Sequence, residues 1–306
     1  MDEVRERVPS ALDGERIDRV VAMLTEVSRA EATDLVRAGA VTIDGRPARR
    51  GADRIREGQE LVIDVPPSDD NRLPSAEIDV EVSVVHVDEH LVIVDKPADL
   101  VVHPGAGHIH GTLVSGLLAR FPDIAGVGDP HRPGIVHRLD RGTSGLLVVA
   151  RSTVAHQALV AQLAARTVQR RYQALVWGYP ESPRGLIDAP IGRSPKHPTK
   201  MAVTTQGKDA RTRYEVEKRF AKPGETALVT CSLETGRTHQ IRVHLAAIGH
   251  PVVGDDRYGG ARQSLPLHRP FLHAGRLGFD HPSTCEALAF EANLPPDLEA
   301  ALDALG

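Results

Sequence analysis

The stretch Pro66-Pro67-Ser68-Asp69-Asp70-Asn71-Arg72-Leu73-Pro74-Ser75-Ala76 divides this chain into two folding problems. Its prolines have no N–H to give a helix or a sheet ladder. Most of the residues between them are polar, so the segment reads as an extended, semi-rigid linker. A length of 306 residues accommodates two domains. The expected boundaries are an N-terminal extension over 1–15, a small unit over 16–65, the linker over 66–76 and a large unit over 77–306.

In the small unit, Ile17, Val20, Val21 and Leu24 recur at helical spacing. Ser28 and Glu31 form a capping box before a second helix that carries Leu35 and Val36. Gly39 suits the C-terminal stop of that helix. Val41 and Ile43 lead into Asp44-Gly45, the pair that favours a tight hairpin turn. Leu61, Val62, Ile63 and Val65 read as a closing strand. Arg37, Arg46, Arg49, Arg50, Arg54 and Arg56 crowd the second helix and the hairpin. Acidic residues nearly balance them, so a solvated surface is the plain alternative to a binding face.

The large unit mixes strand and helix signals. Ile78, Val80, Val82 and Val84 alternate strictly, which predicts a half-buried strand. A turn at Asp88-Glu89 leads to the apolar run Leu91–Val94. Ser152 is placed to cap a helix bearing Leu159 and Leu163. A strand is expected from Val168 to Trp177, with Arg170 and Tyr172 on one face. Ile241, Leu245 and Ile248 make an apolar helix stripe, stopped at Gly249-His250-Pro251. Arg242 projects beside that stripe and can form a planar, bidentate pair with a carboxylate. Leu298, Leu302 and Leu305 mark an amphipathic, core-packing tail. Aromatic residues make up only 3% of the chain, so the core must rest on Val, Leu, Ile and Ala.

Chemistry is most concentrated between His137 and Ala150. A polar turn containing Gly142 and Gly145 separates the apolar pair Ile135-Val136 from the apolar run Leu146–Ala150. Asp140 is thereby expected on a tight turn braced by two core strands, the rigid support that a catalytic group needs. Arg138 and Arg141 flank it and would favour its ionised form.

Several classes lose support. The net charge of −4 is not the bulk basicity of many nucleic-acid binders, so any RNA surface must be a local patch. Cys231 and Cys285 are too few for a disulfide framework, and both are expected as buried thiols in strand-like runs. The 15 His show no HExxH and no paired CxxC pattern, so no metal site is expected. The charged N-terminus has no apolar h-region, and no run is long enough to span a bilayer. The cytoplasm is the expected compartment.

His137-Arg138-Leu139-Asp140-Arg141-Gly142-Thr143-Ser144-Gly145 resembles the catalytic motif of the large-ribosomal-subunit family of pseudouridine synthases. Asp95-Lys96-Pro97 through His103-Pro104 is similar to a second family segment, with Asp99 where Gly is usual. Thr235-Gly236-Arg237-Thr238-His239-Gln240-Ile241-Arg242 is similar to a third. Gly254-Asp255, Tyr258-Gly259 and Leu272-His273-Ala274 continue the likeness. The small unit resembles the S4 RNA-binding domain in the order of its elements. Together the resemblance spans about residues 16 to 290. It implies an α+β catalytic domain on a mixed, largely antiparallel sheet, preceded by a small S4-like α/β domain.

The implied activity is isomerisation of uridine to pseudouridine in structured RNA, most readily 23S ribosomal RNA or a large-subunit precursor, with tRNA as the alternative. A non-catalytic RNA-binding assembly factor is the other class to test. The implied roles are Asp140 as catalytic nucleophile or base, Arg242 as its partner and Tyr172 as the stacking residue. Arg138 would fill the gap left by a flipped base. Arg141, Arg237, Lys196 and Lys200 join Arg37, Arg46, Arg49 and Arg50 as expected RNA contacts. The reaction is an isomerisation and calls for no cofactor. A monomer with no membrane partner is expected.

Overall fold

The computed structural model describes residues 2–25, 29–65, 73–103, 110–195, 197 and 200–306. By its internal contacts the chain divides into Met1–Arg72 and Leu73–Gly306. Ser28 of the expected capping box, Pro104, Lys196 and most of the linker lie outside the described residues.

The first unit contains β1 (Asp2–Arg7), α1 (Ile17–Thr25), α2 (Arg29–Arg37), β2 (Val41–Ile43), β3 (Arg46–Pro47) and β4 (Glu60–Val65). Its antiparallel sheet runs β1-β4-β2-β3. Asp44 and Gly45 both take positive φ, at 50° and 73°, as a two-residue hairpin turn demands. Val20 and Val21 of α1, Val36 of α2 and Leu61 and Ile63 of β4 share one small core. The first residues are no extension. β1 pairs with β4, with Val4 opposite Ile63. Arg5, Glu6 and Arg7 are exposed, while Val8 is buried. An edge strand tolerates that charge on its solvent side, which is why it read as unstructured.

The second unit contains β5 (Val84–Val87), β6 (Leu91–Lys96), α3 (Leu113–Arg120), β7 (Ser144–Ala150), α4 (Thr153–Ala165) and β8 (Gln169–Trp177). Then come β9 (Arg184–Asp188), β10 (Ile191–Arg193), β11 (Met201–Val203), β12 (Arg211–Phe220) and β13 (Thr226–Leu233). The last elements are α5 (Gln240–Ala247), β14 (Leu272–Asp280), β15 (Ala287–Glu291) and α6 (Pro296–Asp303). Nine strands form one sheet in the order β5-β6-β7-β14-β8-β13-β12-β9, with β15 beside β14. The β7–β14 pair is parallel and the other pairs in this sheet are antiparallel.

This sheet is covered on both faces, which explains the continuous apolar runs of its central strands. Alternate residues diverge to separate cores. Val92, Val94, Leu147 and Val149 pack on one side, with Leu117 of α3, Leu245 of α5 and Leu298 of α6. Leu91, Ile93, Leu146 and Val148 pack on the other, with Ala155 and Leu159 of α4. Each such buried aliphatic side chain contributes about 1.5–3 kcal/mol. The Ser152 hydroxyl caps α4 by accepting from the Ala155 N–H.

Three local expectations are corrected. Residues 78–83 form no strand, and Ile78 is 82% exposed. Here Val80 and Val82 lie against Gly116 of α3 instead of a neighbouring strand, so alternation reports helix packing. Cys231 is buried, but Cys285 is exposed in the turn between β14 and β15 at φ 59°. Its apolar neighbours belong to the strands on either side. Ile248 ends outside the apolar stripe, 37% exposed at the C-cap of α5.

Gly145 sits where β7 meets β14. Its φ is 112°, and a Cβ there would stand 2.4 Å from the Ala274 carbonyl oxygen. Gly145→Ala combines a disfavoured backbone with a collision against main chain. It is expected to cost on the order of 3 kcal/mol or more of unfolding free energy. Urea denaturation checks this, and a loss below about 1 kcal/mol would refute the close approach.

Candidate active site

Asp140 lies just before β7, where residues 140–143 close a turn through Thr143 N–H to Asp140 O at 3.0 Å. Gly142, at φ 89°, supplies the left-handed corner of that turn. Its N–H donates to the Ala98 carbonyl at 2.8 Å, tying the turn to the loop after β6. Only one side of the turn is a true strand. On the other, Ile135 makes a single bridge to Val149. From behind, Arg269 donates to the Gly142 carbonyl and the Ser144 hydroxyl, both at 3.2 Å. The same guanidinium grips Asp297 at 2.6 and 2.8 Å. Asp99, the departure from the family pattern, forms its turn without positive φ.

The Asp140 side chain is 15% exposed and faces an open cavity of about 660 Å³. Tyr172 from β8 lines the same cavity, with Arg138, Arg170 and Arg237. Arg242, on the first turn of α5, places Nη1 3.7 Å from Asp140 Oδ2. That is an ion-pair distance, longer than a hydrogen bond. The bidentate partner of Arg242 is Asp255, through Nε at 2.6 Å and Nη2 at 2.8 Å. The bidentate pair with a carboxylate expected for Arg242 is therefore made with Asp255, while Asp140 is its ion-pair neighbour. Asp255 is fully buried and also accepts from the N–H groups of Arg257 and Tyr258. Burial pulls the Arg242 pKa down, but the hydrogen bond and charge of Asp255 outweigh it and hold it above the usual value.

Two aromatic groups shape the rim. The Tyr258 ring lies under the Arg242 guanidinium, 5.1 Å from its centroid, a cation–π contact. Its hydroxyl accepts from the Met201 N–H and meets His239 Nδ1 at 2.8 Å. His239 itself stands at φ 56°, a strained setting for a non-glycine residue. Burial lowers the His239 pKa and so favours the neutral ring. Tyr172 is also buried, and burial pushes its phenol up to about 12. At neutral pH it is a hydrogen-bond donor and no base.

The expected contact residues separate into groups. Arg138 is exposed at the cavity, with Nη1 3.2 Å from His103 Nε2. Arg237 is exposed there too, donating to the Asp209 carbonyl. Arg141 is exposed but does not line the cavity. The ion-pair distance to Asp140 is made by Arg242. Lys200 is also outside the cavity lining, with Nζ bound to the Arg257 carbonyl at 2.8 Å. In the first unit, Arg37 pairs with Asp34 at 2.7 Å. Arg46, Arg49 and Arg50 are exposed and have no ion-pair partner among the described residues.

Asp255, Tyr258, His239 and Arg269 had no assigned role in the sequence reading. A signal for Asp255 was present: an acidic residue directly after Val252-Val253-Gly254 is an expected buried carboxylate, which requires a partner. Arg269 carries no comparable signal, because its contacts are far away in sequence. Among the described residues, no group of His, Cys, Asp and Glu is placed to hold a metal ion. No helix among them is long and apolar enough to cross a membrane.

Comparison with known proteins adds to this geometry. The family model described as RNA pseudouridylate synthase matches residues 90–247, and the S4 domain model matches residues 15–61. An uncharacterized RNA pseudouridine synthase of Bacillus subtilis is 42% identical over 95% of this chain and 94% of its own. The ribosomal large subunit pseudouridine synthase D of Pseudomonas aeruginosa is 45% identical over 95% of this chain and 92% of its own. Among solved structures, human RNA pseudouridylate synthase domain containing 1 superimposes with a TM-score of 0.57 at 30% identity. That match covers 78% of this chain and 90% of the human one.

The Arg242–Asp255 pair yields a stability test. Asp255→Ala strands a guanidinium in the interior, which is expected to cost about 3–5 kcal/mol. Adding Arg242→Met to that variant should recover much of the loss, since the stranded charge is gone. Urea unfolding of the three proteins measures this. A single-variant loss under about 1 kcal/mol would contradict the buried pairing.

Proposed function

This chain belongs to the RNA pseudouridine synthase family, and from that premise we propose that Asp140, Arg242 and Tyr172 carry out the isomerisation and that the substrate is 23S ribosomal RNA. The reaction breaks the N1–C1′ bond of a uridine, turns the base and joins C5 to C1′. A stacked uridine is out of reach, so it must be flipped into the cavity. The carrying observation is the placement of Asp140 at the cavity surface, beside a guanidinium that is itself locked by Asp255.

Asp140 acts as the reacting carboxylate, as nucleophile or as base. Arg242 has two of its nitrogens fixed by Asp255, so the third is aimed without loss of side-chain entropy on binding. It orients Asp140. Tyr172 offers a ring face for the flipped base and a phenol that stays protonated. Arg138, exposed at the cavity, enters the stack where the base has left. The substrate class rests on relatives named for the large ribosomal subunit, which this chain matches over nearly its whole length. The S4 domain supplies phosphate contacts through Arg46, Arg49 and Arg50.

Asp140→Asn keeps the shape and removes the charge. It should lower pseudouridine formation on 23S rRNA fragments by roughly 10³-fold or more while RNA affinity stays near wild type. Normal turnover by this variant would remove Asp140 from the chemistry. RNA binding by the wild type without product would favour an assembly factor instead.

Replacing Arg46, Arg49 and Arg50 together by Gln probes the S4 domain. For each of them that neutralises a phosphate, the slope of log K against log salt should become shallower by about 0.7–0.9. Salt titrations of both proteins read this directly, and identical slopes would show that these arginines are only a solvated surface.

A further inference from the structure

One buried cationic group of the cavity lining is left without work by the reaction as described. Arg170 stands two residues before Tyr172 on β8, so both side chains project from one face of the sheet. Arg170 is 7% exposed, and its Nε is buried without a hydrogen-bond partner. Among the described residues no carboxylate pairs with it. Glu234, the nearby cavity-lining acid, is taken by Arg166, Arg211 and Arg213. A Cβ at Gly236 would lie 2.9 Å from Arg170 Nη1, so the loop is kept free of a side chain where the guanidinium passes.

Two further polar atoms in the cavity lining share this condition. His137 Nδ1 and Thr143 Oγ1 are buried without partners. The Val148 N–H donates to His137 Nε2 at 3.2 Å, so the neutral ring carries its proton on Nδ1. Burial keeps that ring neutral, with a pKa of about 3. Folded proteins satisfy nearly all buried polar groups, and an unpaired buried charge is the most costly exception. Three such exceptions around one cavity call for a ligand that brings acceptors and negative charge.

We propose that Arg170 is a further catalytic residue, which holds the negative charge that develops on the uracil ring as the base is released. The proposal rests on the reading of the site given above, but not on the choice of route. If Asp140 attacks C1′, it becomes an ester and the N1–C1′ electron pair leaves with the base, spread over N1, O2 and O4. If Asp140 takes the C2′ proton, the same pair leaves with the base and a C1′–C2′ double bond remains in the sugar. If Asp140 adds to C6, the charge passes to C5 and O4. As C5 joins C1′, the carboxylate leaves C1′ with its electron pair in the first route and returns its proton to C2′ in the second; in the third the N1–C1′ bond breaks and the carboxylate then leaves C6. C5 gives up its proton, N1 takes one up and the ring is neutral again.

Every route charges the ring and none charges the phosphate. Arg242 is committed to Asp255 and Asp140, so it is not the group that meets this charge. Arg170 is preorganised for it, which is how fixed charges accelerate a reaction. The His137 Nδ1–H and the Thr143 hydroxyl are the neutral donors beside it.

The test uses the full chain with Arg170→Gln and Arg170→Met. Single-turnover consumption of the target nucleoside is followed in RNA carrying uridine or 5-fluorouridine there. Fluorine withdraws electron density and stabilises the ring anion without help from the protein. With uridine, Arg170→Gln should slow the reaction by about 10²–10³-fold while RNA Kd changes less than about threefold. With 5-fluorouridine the loss should be at least about tenfold smaller. Arg170→Met should melt at or above the wild-type temperature, since it removes an uncompensated buried charge. An unchanged rate overturns the proposal. Weakened RNA binding at unchanged rate assigns Arg170 to a phosphodiester and overturns it as well. Equal losses on both substrates with a lower melting temperature assign a structural role, the third refuting result. Wild-type pseudouridine formation is measured alongside, and its absence would overturn the underlying reading together with the proposal.

Discussion

The buried contact between Arg242 and Asp255 governs the geometry of the cavity. Two charges taken out of water are costly, and only a close bidentate fit with further hydrogen bonds offsets that cost. Asp255 meets the requirement by accepting from two backbone N–H groups as well as from the guanidinium. The pair therefore joins the first turn of α5 to the loop that follows that helix. Arg242 has little freedom left, and the nitrogen it does not share with Asp255 points at Asp140. The Tyr258 ring closes the stack beneath it. The carboxylate proposed to react thus meets a charge whose direction is set by a second carboxylate.

Asp140 is held by a different set of contacts. Its turn hangs from Ala98 on one side and from Arg269 on the other. Arg269 is in turn gripped by Asp297 at the start of α6. Opposing supports from the β6 loop and the C-terminal helix do the work of the second strand that the sequence led one to expect. The sub-ångström placement that catalysis requires is plausible only with such bracing. The polar atoms that have no partner, on His137, Thr143 and Arg170, lie at the same cavity. Among the described residues only Thr226 Oγ1 on β13 shares this condition away from the cavity, so the energetic deficit is concentrated at the face where a substrate would sit.

Legibility of the chain follows the range of the interaction. Asp44-Gly45 announced its hairpin and Ser152 its cap, because a few adjacent residues decide those conformations. Central strands such as β6 and β7 were readable from unbroken apolar runs, which report burial on both faces. The alternation at residues 78–84 misled, since packing against α3 selects the same pattern as strand pairing. Cys285 misled because a turn interrupts an apolar stretch without changing its composition. Asp140, Tyr172 and Arg242 were found through motif likeness, and they do line or border one cavity. The partner of Arg242 was not readable: two carboxylates were chemically equivalent candidates, and only the fold decides between them. Arg269 was invisible for the same reason, with 127 residues separating it from Gly142.

The parallel pairing of β7 with β14 also has a consequence for how the protein is made. Ser144 and His273, hydrogen-bonded across that pair, are 129 residues apart. At elongation speeds of about 5–20 residues per second, roughly 6–26 s pass between the synthesis of one and the other. Through that interval β7 pairs with β6 on one edge and meets residues 134–135 at the far end of the other, while its Ser144–Gly145 end waits for β14. An unpaired strand edge is open to foreign strands. The emerging chain is therefore most vulnerable in the middle of its translation, and no intermediate length carries a complete cavity. Activity arrives late, with β14, which closes the gap.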